Sequence, residues 1–136
     1  MGGGSGFIGA FSNSGDWECS FKAKFDGSNC GVMIVNPSDT NRDSNQFKYV
    51  SGLNKVYSYV NGTNTSTSSS VFDNKQYNTY YDIVIKKQNG SLTFKFSTGN
   101  AVSISWNLIS SLSTLAIGVD TWGHTATIKN IIVKPL

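Results

Sequence analysis

The stretch Asp16-Trp-Glu-Cys-Ser-Phe-Lys-Ala-Lys-Phe25 decides the fold. Apolar side chains stand at 17, 19, 21, 23 and 25, and polar ones at 16, 18, 20, 22 and 24. Period-two alternation turns one face of an extended strand into a core and the other into water. The same pattern returns along the chain, and no competing helical stripe appears. The expected fold class is therefore all-β, an antiparallel two-sheet β-sandwich of the jelly-roll kind. Function must then sit on an outer sheet face or in the loops, which here are rich in Asn, Ser, Thr and Tyr.

Working outward, strands are expected over residues 7–11, 16–25, 30–35, 46–50, 55–61, 69–73, 78–87, 91–97, 101–106, 115–121 and 125–133. Turn chemistry separates them, chiefly Asp26-Gly27, Asn61-Gly62, Asn89-Gly90 and Gly99-Asn100. Gln88-Asn89-Gly90 marks the clearest hairpin. One helical turn fits residues 107–113. Residues 35–45 form the longest irregular connection, and the Thr/Ser tract over 61–70 reads as a mobile loop. Both ends of the domain are β-rich, so the first and last strands are candidates to pair. Cys30-Gly-Val-Met-Ile-Val35 is apolar on both faces, which suits a central strand or one covered by a loop or ligand.

The 136 residues fit one domain with one core. Residues 1–6 read as a flexible linker, or the scar of excising one domain from a longer protein, and residues 7–136 as the sandwich. Charged residues are only 14% of the chain, against roughly 25% in an average protein. Asn, Ser and Thr make up about a third, so neutral polar groups must carry solubility. A net charge of +3, scattered along the sequence, argues against nucleic acid as a partner. No apolar run approaches the ~20 residues of a membrane span, so no membrane insertion is expected. If residues 26–29 form a hairpin turn, Phe25 faces Cys30, and Cys19 is too far away to form a disulfide with it. Both cysteines then read as small buried apolar residues, which suits a reducing compartment.

The closing stretch, residues 115–136, resembles the C-terminal hairpin of concanavalin A-like jelly-roll domains. Gly118, Asn130, Ile131, Val133 and Leu136 carry the likeness. Upstream, residues 17–27 resemble that family's early strand and turn. Tyr81-Asp-Ile-Val-Ile85 with Gly90-Ser-Leu-Thr-Phe94 resembles its central hairpin. Such domains occur in lectins, carbohydrate-binding modules, laminin G-like modules, some glycosidases, and bacteriophage tail and baseplate proteins. The resemblance implies glycan binding.

Catalysis finds little support in the residues. A retaining glycosidase needs two carboxyl groups ~5–5.5 Å apart. Glu18 is the single glutamate, and the clustered acidic motif of the superfamily's glycosidases is missing. His124, the single histidine, has no Ser or Cys near it in sequence to form a nucleophile pair. No enzyme is expected.

Calcium is the one cofactor the sequence raises. Asp39, Asn41, Asp43 and Asn45 place oxygens at alternate positions, as an EF-hand loop begins. Ser44 then replaces the glycine, and Val50 the bidentate glutamate. The plainer reading is a loop of Asx-turns.

Aromatic residues give the sharper expectation, because sugar rings present C–H faces to Trp and Tyr while their hydroxyls need polar partners. Trp17 and Trp106 alternate with core residues and read as structural. Trp122 stands in Thr121-Trp-Gly-His124, the tip between the last two strands, where it either meets a ligand or folds back over the rim. Tyr57 and Tyr59 share one strand face about 7 Å apart, as a platform or as core. The candidate ligand site is Trp122, Tyr57 and Tyr59 with His124, Asp120 and Asn61. The expected function is non-catalytic carbohydrate binding, with a saccharide as partner and weak affinity raised by a multidomain or multivalent assembly. An outward-facing place on a virion, such as a phage tail or baseplate, or on a cell surface would supply that setting. The alternative is a structural or protein-interaction sandwich without a sugar site.

Overall fold

The computed structural model describes the backbone of residues 4–136 and side chains from residue 9 onward. The strands are β1 (Gly4–Ser12), β2 (Trp17–Phe25), β3 (Cys30–Val35), β4 (Gln46–Val50), β5 (Lys55–Val60), β6 (Thr63–Thr67), β7 (Tyr80–Gln88), β8 (Ser91–Phe96), β9 (Val102–Ser105), β10 (Thr114–Thr121) and β11 (Ala126–Pro135). They form a six-stranded sheet, β1-β10-β3-β4-β5-β6, and a five-stranded sheet, β11-β2-β7-β8-β9. Every pairing is antiparallel. Two 3-10 turns, Arg42–Ser44 and Ile109–Ser111, are the helical elements among the described residues, the second within the expected helical turn. No described helix is long and apolar enough to cross a membrane.

The core lies between the sheets. On β2, Trp17, Cys19, Phe21, Ala23 and Phe25 are all buried and their neighbours are not, as the alternation requires. An aromatic group fills the centre. Tyr49 stacks on Phe94 at 5.0 Å between centroids, and Phe25 and Phe96 close in at 5.5 and 5.4 Å from Tyr49. Trp17 and Trp106 are buried, as expected. Trp106 also donates its indole N–H to the carbonyl of Tyr59 at 3.2 Å, holding β5 from the core side. Cys19 and Cys30 are free thiols, both buried, and burial pushes the Cys19 pKa up to about 12.

Two turns follow directly from their dipeptides. Asn89 and Gly90 have φ of 53° and 81° between β7 and β8, and Asn61 and Gly62 have 52° and 80° between β5 and β6. Positive φ at both central residues is what a two-residue type I′ hairpin needs.

Several sequence expectations are corrected. Residues 26–29 do not close a hairpin, because β2 and β3 belong to opposite sheets and the turn carries the chain across the sandwich. The closing pair, β10 and β11, crosses in the same way. The first strand pairs with β10 and the last with β2, so the two ends do not pair with each other. The Thr/Ser tract is not a loop throughout, since β6 pairs with β5 there. Residues 69–73 are not a strand. Their backbone is held by Asn54, whose carbonyl accepts from Val71 N–H at 3.0 Å and whose side-chain oxygen accepts from Phe72 N–H at 3.2 Å. β1 begins at Gly4, within the stretch read as a linker, and residues 1–3 lie outside the described residues.

Candidate functional site

The outer face of the six-stranded sheet is set by cross-strand register. Gly118 of β10 stands opposite Met33 of β3, Met33 opposite Lys48 of β4, and Lys48 opposite Tyr57 of β5. Met33, Val35 and Ala116 form a small second apolar cluster on this face, all at 0% exposure. This explains the two-sided apolar character of β3, which lies centrally in its sheet.

Lys48 organises the site. Its ammonium lies 4.4 Å from the Trp122 ring centroid and 5.1 Å from that of Tyr59, and 3.5 Å from the Asp120 carboxylate. A cation over an aromatic face is worth about 0.5–2 kcal/mol, more as water is excluded. Lys48 and Asp120 are only 12% and 8% exposed in their side chains. Tyr57 completes the aromatic row, its ring 6.2 Å from that of Tyr59 and tilted by 32°.

Burial opposes the ionisation of the acid. It pushes the Asp120 carboxyl above the usual carboxylate range, with the charge of Asp43 adding to the rise. Lys48 acts in the other direction by charge and hydrogen bond, and a Gln46 side-chain hydrogen bond helps. The Tyr59 hydroxyl is likewise pushed up by burial and by Tyr57, against a hydrogen bond with the Asn64 side chain. Gln46 is 2% exposed. Its amide N–H donates to the Asp43 carbonyl at 2.8 Å, while its Oε1 is buried and accepts no hydrogen bond among the described residues. A buried acceptor left in that state costs about 1–3 kcal/mol.

Trp122 also borders an open groove of about 430 Å³ with Ser28, Asn29, Val50, Gly52 and Leu53. The ring is half-buried. It is carried by a tip that docks on the 26–29 turn: Trp122 N–H donates to the Asn29 carbonyl at 2.8 Å, and His124 Nδ1 accepts from Asn29 N–H at 3.0 Å.

Of the candidate residues, Trp122, Tyr57, Tyr59 and Asp120 are brought together around Lys48. His124 is not joined to them. Its imidazole lies against Gly27, where an added Cβ would fall 2.3 Å from the ring, so it clasps the two crossovers. Asn61 is at the β5–β6 turn with an exposed side chain, and its N–H donates to Asn45 Oδ1 at 2.8 Å. Sequence reading missed Lys48, Gln46 and Asn64. The available signal was the outward parity of Lys48 on β4, but its neighbours depend on strand pairing.

The 36–45 loop borders this face, with Gly62 N–H donating to the Ser44 carbonyl at 2.9 Å. Within it, both Asp39 oxygens serve the loop, accepting from Asn41 N–H at 2.8 Å and Asn45 Nδ2 at 3.0 Å. Asp39 and Asn41 thus form an Asx-turn, Asp43 follows in the 3-10 turn, and no three His, Cys, Asp or Glu side chains among the described residues converge as metal ligands.

No protein-family model matches the sequence, and no curated protein matches it. Solved structures do. The carbohydrate-binding module CBM66 from Bacillus subtilis superposes with a TM-score of 0.61 at 14% identity, over 93% of this chain and 77% of that one. A toad ovary galectin in complex with thio-digalactose gives 0.61 at 17% identity, over 92% and 96%. Galectin-Ib from Xenopus laevis gives 0.63 at 16% identity, over 97% and 99%. The shared feature is the fold, a concanavalin A-like β-sandwich.

Proposed function

We propose that the chain is a non-catalytic carbohydrate-binding domain and that the saccharide lies on the outer face of the six-stranded sheet. The observation that carries this reading is the convergence of Tyr57, Tyr59 and Trp122 about the Lys48–Asp120 pair. The ring faces stack against sugar C–H groups. Lys48 donates to ring or hydroxyl oxygens, and Asp120 accepts from hydroxyls. Three of the similar structures are named as a carbohydrate-binding module and galectins, one of them bound to a digalactose analogue, and this supports the reading by fold alone. A glycosidase mechanism has less to work with, since Glu18 is on the other sheet, bonded to Lys134 at 3.2 Å.

An open, shallow site of this kind binds weakly per copy, so avidity from a multivalent parent is part of the proposal, as is an outward-facing location. The test is a neutral-glycan array probed with the domain displayed multivalently, as wild type and as Tyr59→Ala. Binding that the substitution abolishes, with the fold retained, supports the site. Binding that survives it places the sugar elsewhere, and silence across the array leaves the interaction-module alternative.

A further inference from the structure

The outer face of the five-stranded sheet carries a second kind of chemistry. Alternation and register place Lys22 and Lys24 of β2, Lys86 of β7, Lys95 of β8, and Lys129 and Lys134 of β11 on this face. Only Glu18 and Asp82 oppose them there. Six lysines and two carboxylates leave four net positive charges on a face of a chain whose total is +3, so all the rest is net negative by one. The positive charge that looks scattered in sequence is gathered on one side of the molecule by the fold.

The arrangement is costly without a partner. Lys22 and Lys129 are direct cross-strand partners, and like charges in that position destabilise a sheet. The strain is relieved locally: Lys22 pairs with Asp82 at 2.7 Å, and Lys129 and Lys24 place their ammoniums 3.9 and 5.1 Å from the Tyr80 ring centroid, both against one aromatic group. Lys86 and Lys95 stand at the other end, bordering a groove of about 300 Å³ with Glu18, Val84, Thr93 and Ala101. Tyr80 and Lys86 are six residues apart on β7, about 20 Å at ~3.3 Å per residue. Between them a bulge at Asn130, with φ of 58°, breaks the β11–β2 register and opens a second groove of about 330 Å³ along Ser20, Lys22, Val84 and Ile132.

We propose that this face binds an acidic polysaccharide, a linear polymer bearing sulfate, phosphate or carboxylate groups, laid from the Lys24–Tyr80–Lys129 cluster toward Lys86 and Lys95. Charge complementarity selects a polyanion. The hydroxyls of Ser20, Thr93, Ser103 and Thr127 along the same face suit a hydroxyl-rich chain. A nucleic-acid single strand would need several stacking rings, and the face offers Tyr80 alone among its strand positions. An anionic membrane would need a group of exposed apolar anchors, and on this face Ile132 is exposed while Val84 is half-buried. This surface is separate from the aromatic platform and does not depend on it.

The test titrates the intact chain with dextran sulfate and with neutral dextran at 50 and 200 mM NaCl. Dextran sulfate is expected to bind, neutral dextran not to bind on this face, and affinity to fall steeply with salt. Lys24→Gln/Lys129→Gln together lower the affinity at least tenfold and make the log–log salt slope shallower by about two, roughly one per lysine removed. Lys55→Gln, on the other sheet, leaves both unchanged. The same double variant, run on the neutral-glycan array, keeps whatever signal the wild type has, which separates the two sites. No binding of dextran sulfate at 50 mM salt overturns the proposal. So does equal binding by the double variant, or tighter binding to phosphatidylserine vesicles or to DNA at matched charge.

Discussion

On the six-stranded sheet one lysine, Lys48, is enclosed by two aromatic rings and a buried carboxylate, while on the five-stranded sheet six lysines are spread over the outer face, two of them against one tyrosine. Both faces come from strands of the same alternation. What differs is water. Around Lys48 it is largely excluded, so the charge is committed to fixed partners, and recognition there depends on shape and direction. On the other face the ammoniums keep their hydration and act through a screened field, which reaches further and selects less. The same residue type therefore serves two forms of recognition, decided by burial.

The largest test of this contrast is stability. Lys48→Met strands the buried Asp120 carboxylate and is expected to cost about 2 kcal/mol in urea denaturation, whereas Lys22→Met, which breaks an exposed pair, costs roughly 0–0.5 kcal/mol. Equal losses would erase the distinction. In binding, Tyr59→Ala is expected to weaken a neutral saccharide at least tenfold and dextran sulfate not at all, with the Lys24→Gln/Lys129→Gln pair showing the reverse. Next come the twin turns. Gly62→Ala and Gly90→Ala each force an L-residue into positive φ where no neighbour crowds it closely, and each is expected to cost about 1 kcal/mol. Only the Gly62 change, on the sheet with the platform, should also reduce saccharide binding.

The smallest effect lies in pH. Asp120 holds its proton more tightly folded than unfolded, because burial raises its pKa above the ordinary 3.8. Its contribution to stability is therefore full below the unfolded pKa and lost as pH rises through the folded one. Removing Lys48 raises the folded pKa further, so the Lys48→Met variant gains more from acidification than wild type. The gap between them, measured by urea melts, should narrow as pH falls through that range. A gap that stays constant would mean that the two side chains are not coupled.

Much of the fold could be read from single strands. Trp17–Phe25 falls within one residue of its expected bounds, and the Asn89-Gly90 hairpin is where its dipeptide places it. Partnership could not be read. Asp26-Gly27 marks a turn, but whether a turn closes a hairpin or crosses the sandwich depends on which sheet buries the next strand. β6 escaped notice because Thr63–Thr67 has no apolar face to alternate; as an edge strand it packs little and is held by backbone pairing and Thr–Ser contacts such as Ser58 Oγ to Thr65 Oγ1 at 2.8 Å. In the site, Tyr57 and Tyr59 share a strand and so were visible together. Lys48 and Asp120 lie 72 positions apart and meet only through β3. The lysines of the other face were hidden for the same reason.

The crossovers clasped by His124 and Gly27 set a schedule for synthesis. β2 is flanked by β7 and β11, with Trp17 opposite both Lys87 and Pro135. At ~5–20 residues per second β2 waits several seconds for β11, its final neighbour. Throughout that wait one edge of β2 has no strand to pair its backbone. The outward lysines at 22 and 24 travel on that same strand, so the nascent chain carries its own deterrent to self-association until the last strand arrives.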